Sequence, residues 1–171
     1  KLPEIVEQQK EDIQKLEKDL NLIESQIEII ETEGKDLNLV YDLLDQRFEA
    51  LSSEYNDVKP IIESIQQREE LIKENDEIDE NARKLEAKQK KKKTQVVIDQ
   101  KKVAKDEQAK RRIKSLLPRI EKKLLVLLIK YQTQKGREYL WGGEEYIHNL
   151  DHIKLSDVEL QKAKGIHKKK T

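Results

Sequence analysis

Two histidines, His148 and His152, stand four residues apart near the end of the chain, the spacing at which one helix face offers two imidazoles to a zinc ion. No Glu follows the first histidine and no third ligand is evident, so the pair reads as two surface histidines. Gly142-Gly143 reads as a turn rather than a phosphate cradle, because neither a P-loop Lys-Ser/Thr nor a strand leading into a helix accompanies it. No Ser, His and acid are grouped as a triad would require, and the carboxylates fall mostly on repetitive helix faces. The absence of Cys excludes thiol and disulfide chemistry. The chain reads as a non-enzyme that uses neither cofactor nor metal.

The remaining candidate chemistry is cationic. A helix is expected from about residue 101 to 134, and Ile113, Leu117, Ile120, Leu124, Leu127 and Tyr131 step along it by threes and fours in one apolar wedge. Leu124 and Leu127 are expected to be buried. At 100° per residue, Lys101, Lys105, Arg112, Arg119, Lys123 and Lys130 gather in a band roughly 80–120° to one side of that wedge. Such a stripe on a rigid helix attracts an acidic surface. The alternative is a basic flank that only meets water, and periodicity alone does not separate the two.

The rest of the chain is built to hold long helices. Of its 171 residues, 41% are charged and 4% aromatic, with 5 Gly and 3 Pro, a composition that predicts an all-α protein with almost no β structure. No apolar run is long enough to span a membrane. The chain starts at Lys1 without an initiator Met and reads as a piece of a longer protein. Its zero net charge conceals a polarity, since residues 1–80 hold 9 Lys+Arg against 24 Asp+Glu and residues 81–171 hold 26 against 11. The second half therefore suits an acidic partner, or the halves neutralise each other by packing.

From Val6 a heptad seam runs through Ile13, Leu16, Leu20, Ile23, Ile27 and Ile30, and on through Leu37, Leu44, Leu51, Val58, Ile65 and Ile72. It predicts rod-like helices, with weak positions at Gln9, Gly34 and Glu69. Residues 1–34 read as the end of a coiled-coil rod, interrupted around Gly34, with Asp36 placed to cap a new helix. Residues 35–164 read as a bundle of three helices, about 36–84, 101–134 and 144–164. Pro60 and Pro118 are expected to bend helices that continue through them. Residues 85–98, including Lys90, Lys91, Lys92 and Lys93, read as a mobile basic loop, and residues 165–171 as a basic tail.

Residues 105–124, KDEQAKRRIKSLLPRIEKKL, followed by Tyr131, Lys135-Gly136-Arg137-Glu138-Tyr139-Leu140 and Gly143-Glu144-Glu145-Tyr146, form an ordered pattern. It resembles the spectrin-like domain of the spindle-midzone microtubule crosslinkers, the family of the protein regulator of cytokinesis, the fungal anaphase spindle elongation protein and the plant microtubule bundlers. The resemblance covers roughly residues 37–155 and is tightest over 105–147. It implies a spectrin-like three-helix antiparallel bundle continuous with a coiled-coil rod, acting without catalysis to bind microtubules at the spindle midzone in anaphase and cytokinesis. Lys105 falls where the family has a microtubule-contacting lysine, and Lys110 and Arg112 match basic positions of the same helix. The implied partners are the acidic tubulin surface, kinesin motors, and a second copy through a rod outside these residues. The implied location is the cytoskeleton and spindle, in cytoplasm or nucleus. Two departures stand out. The family's Arg-Gly-Gly-like stretch before the lysine is replaced by residues 94–102, and Tyr131 stands where the family usually has Trp. A nucleic-acid-binding coiled coil would use the same charges on phosphates, yet no groove-reading motif or interleaved aromatics accompany them. A purely structural spectrin-type rod is the third reading.

Overall fold

The computed structural model describes residues 1–31, 33–91 and 100–165, with the side chains of residues 89–91 left aside. Among these residues are four helices, α1 (Leu2–Asp19), α2 (Leu37–Lys91), α3 (Gln100–Lys135) and α4 (Asp157–Ala163), with one small hairpin, β1 (Leu140–Trp141) and β2 (Glu144–Glu145), and 3-10 turns at Glu24–Gln26 and Tyr146–Leu150. The protein is all-α, built on long helices.

Helix α2 is the shared element, packing on α1 over one part and on α3 over another. The α2–α3 pair is antiparallel. Lys110 reaches Asp79, Glu121 meets Arg68 at 3.1 Å, and Lys135 meets Asp57 at 3.0 Å, so numbers rise along one helix as they fall along the other. Between the two helices, Ile61, Ile62 and Ile65 share the core with Leu124, Leu128 and Tyr131, and the same cluster continues through Val40, Leu44 and Leu51 to Val6, Ile13 and Leu20 of α1. The α2 and α3 boundaries lie close to the expected starts, and Asp36 caps α2 by accepting from the Asn38 N–H at 2.9 Å. Pro60 and Pro118 both lie inside unbroken helices. Gly136 ends α3 in the left-handed region at φ 68°, with its N–H donating to the Gln132 carbonyl, a conformation that glycine adopts without a Cβ penalty.

Four expectations are corrected. The seam through Ile23, Ile27 and Ile30 is not helical, because α1 stops at Asp19 in a Schellman cap: Asn21 takes φ 54°, Asn21 N–H donates to the Lys18 carbonyl, and Leu22 N–H to the Glu17 carbonyl. The connection that follows is tied to α2 at Arg47, which pairs with Glu28 at 3.7 Å and with Glu17 of α1 at 3.9 Å. The expected loop 85–98 is helical as far as Lys91, since Leu85 to Lys91 are all of good helix propensity and water screens the repulsion among their lysines. Lys92, Lys93 and the remainder to residue 98 lie outside the described residues, as do residues 166–171 of the tail. Residues 144–164 are no single helix but a strand, a 3-10 turn, an extended stretch and the short α4, which Ser156 caps by accepting from Glu159 N–H at 3.2 Å. Finally, Leu127 is only half-buried, while Leu125 and Leu128 are buried.

The hairpin explains the paired glycines. Gly142 and Gly143 both hold positive φ, 61° and 79°, as a two-residue turn between Trp141 and Glu144 requires. The tip docks on the end of α1, where Gly142 N–H donates to the Asn21 carbonyl at 3.0 Å. A Cβ on Gly143 would come within 2.4 Å of Ile23 Cδ1, so the contact admits no side chain without a shift.

Candidate functional site

All six expected site residues of the third quarter, Lys101, Lys105, Lys110, Arg112, Arg119 and Lys123, lie on α3 and are exposed. Helix α3 is covered on two flanks, by α2 and by the segment comprising the 3-10 turn at Tyr146–Leu150 and α4. Its buried arc therefore runs from Ile113 through Glu121 to Leu125, wider and further round than the apolar spacing alone suggests. On the helical wheel the band of Lys105, Arg112, Arg119, Lys123 and Lys130 is centred roughly 160° from that arc. The band faces mainly solvent, with Arg112 at its edge toward α2.

The structure separates these cations into two groups. Lys110 is paired with Asp79, and Arg112 grips Glu74 of α2 with one nitrogen 2.9 and 3.1 Å from its two oxygens. Their charges are partly answered within the fold. Lys105, Arg119 and Lys123 make no ion pair among the described residues, so their charge is offered to solvent. Lys105 and Lys123 share one azimuth and lie about 27 Å apart along the helix axis at 1.5 Å per residue. Of the expected secondary site, Lys90 and Lys91 occupy the last turn of α2, and Lys92 and Lys93 fall outside the described residues.

Sequence reasoning missed a buried polar cluster. Glu121 of α3 is 5% exposed and meets Arg68 Nε at 3.1 Å and His152 Nε2 at 2.9 Å. Arg68 also donates to the Tyr146 hydroxyl at 2.9 Å, and that hydroxyl donates to Glu69 at 2.7 Å. The Arg68 guanidinium carbon also lies 5.7 Å from the centre of the Tyr146 ring, within cation–π range. Burial, reinforced by the hydrogen bond to Glu69, pushes the Tyr146 phenol up to about 12. The cluster joins α2, α3 and the turn after the hairpin, and no Ser, Thr or Cys takes part in it. Its sequence signals were a glutamate on a core-facing azimuth between Leu117 and Leu124 and the break in the seam at Glu69.

His148 and His152 do not converge. His152 faces Glu121, whereas His148 Nε2 lies 2.5 Å from Glu145 Oε2. Glu138, Glu145 and His148 bring one ligand atom each within 4.8 Å of one another on the hairpin surface. The hydrogen bond to Glu145 raises the His148 pKa, and the hydrogen bonds from Glu138 and His148 lower that of Glu145. The neighbouring Glu145 carboxylate and partial burial raise the Glu138 carboxyl. A raised histidine contributes stability that is fully present below its unfolded value, about 6.5, and is lost as pH rises through the folded value. In a proton NMR titration, His148 should titrate above that reference, and Glu145→Gln should bring its midpoint down. An unchanged midpoint would dismiss the contact.

Comparison with protein-family models, curated proteins and solved structures found no match.

Proposed function

We propose that this chain is a non-catalytic microtubule-binding module of an antiparallel microtubule crosslinker of the spindle midzone. The observation that carries the reading is the band on α3: exposed cations at one azimuth of an unbroken 36-residue helix, three of them without an ion pair among the described residues. A long rigid row of this kind suits an extended acidic lattice better than a small ligand, because each exposed contact contributes little and affinity comes from their number. The resemblance of residues 105–147 to the midzone crosslinkers supports the same reading. Tubulin is the partner, and the band supplies steering and salt-dependent attachment.

Cosedimentation with microtubules over a salt series, beside a duplex DNA control, tests it. Binding to microtubules that weakens with salt and exceeds binding to DNA is the expected result. Equal retention by DNA would favour a phosphate-binding scaffold, and no binding to either polymer would leave a purely structural rod.

A further inference from the structure

The zero net charge of the chain is divided between two remote regions. Residues 1–57 carry 6 Lys+Arg against 16 Asp+Glu, whereas residues 81–115 carry 14 against 4. The first region includes α1, the connection and the start of α2; the described residues of the second are the end of α2 and the start of α3. Each holds apolar surface amid its charge. In the acidic region the connection exposes Ile29 at 84%, flanked in sequence by Glu28, Glu31 and Glu33. In the basic region a groove of about 500 Å³ opens between α2 and α3, with Ile78, Leu85 and Val103 as its apolar lining and Lys84 and Lys88 on its α2 side. Neither lysine makes an ion pair among the described residues. On the α3 side Asp106 and Glu107 offset Lys102 and Lys110, so that rim is balanced in charge and the attraction is directed toward the α2 rim.

The acidic connection cannot fill its own groove. Glu28 is pinned at Arg47, and Leu85 lies 38 residues further along α2, about 57 Å at 1.5 Å per residue. A second copy has no such restriction. We propose that copies of this chain associate head to tail, the connection of one seating Ile29 against Ile78, Leu85 and Val103 of the next while Glu31 and Glu33 meet Lys84 and Lys88. Exposed apolar surface ringed by charge marks an interaction site, and complementary charge sets the partner's orientation. Because the two surfaces differ, the contact is heterologous and leaves a free surface at each end, so it extends into chains instead of closing into a dimer. This goes beyond filament binding and does not depend on it.

Sedimentation velocity of the intact chain over a concentration series, at low ionic strength and again at ~0.5 M salt where charge attraction is screened within a few Å, is the test. The sedimentation coefficient should rise with concentration at low salt and return toward the monomer value at high salt. Ile29→Asp and Val103→Asp should each abolish the rise; both sites are exposed, at 84% and 38%, and circular dichroism checks that the helices persist. An equimolar mixture of the two variants retains one good groove and one good connection, and should form a dimer that grows no further. A monomer at every concentration in low salt, an association that both variants retain, or a mixture that stays monomeric would overturn the proposal.

Discussion

Arg68→Met should lower the unfolding free energy by about 3–5 kcal/mol, the usual consequence of removing one partner of a buried ion pair. The reason is the environment of Glu121, which is buried and relies on Arg68 at 3.1 Å, with exposed His152 as its remaining partner. Once the guanidinium is gone, the carboxylate must stay charged in a poorly solvated site or take up a proton. Tyr146 loses its donor and its cation at the same time. The double variant Arg68→Met with Glu121→Leu removes the orphaned charge along with the pair and should recover most of the loss, because apolar replacements of similar volume are commonly neutral or stabilising. Urea unfolding of both variants checks this. A single variant with an unchanged midpoint, or a double variant no better than the single, would show that the cluster is not a coupled unit.

Leu124→Ala should cost about 2–5 kcal/mol, the range for truncating a fully buried leucine whose cavity does not collapse. Leu124 is wholly inaccessible, as are Val58 and Ile65 of the facing helix, and both flanks of α3 are covered, so little freedom remains to close the void. Against a total stability of about 5–15 kcal/mol, the loss is large enough to show as a strong drop in melting temperature. Leu127→Ala, at a half-buried position, should cost clearly less. Equal effects at the two sites would mean that the buried arc of α3 is misplaced.

Most of the helical frame was legible because it depends on local rules. Gly136 and Asp36 mark helix ends by their own conformational and hydrogen-bonding preferences, and α2 and α3 carry enough apolar periodicity to be read individually. The end of α1 was not legible from the seam. Ile23, Ile27 and Ile30 keep heptad spacing in a segment that is not helical, and the stop is made by Asn21 in the left-handed region, a role that Gly fills more often. The segment 144–164 was misread because Tyr146, Ile147 and Leu150 fit a helical spacing, while two positive-φ glycines and the docking of the hairpin on α1 impose a different path. The candidate site was partly legible. Azimuth alone identified the band, but it could not show that Arg112 and Lys110 are engaged by Glu74 and Asp79, since those contacts depend on the antiparallel register of α2 and α3.

That register determines how the central claim is best tested. Reversing Arg112 would set a carboxylate against Glu74 and confound binding with folding, whereas Lys105 and Lys123 share an azimuth, are exposed and have no ion pair among the described residues. The decisive measurement is the microtubule affinity of Lys105→Glu with Lys123→Glu at moderate salt, beside the unmodified chain, with circular dichroism confirming helix content and melting. If the band is the filament-binding surface, affinity should fall roughly ten-fold or more, as expected when two exposed attractions of up to about 1 kcal/mol each become repulsions, while the fold is retained. Near-native affinity in a fully folded double variant would contradict the assignment.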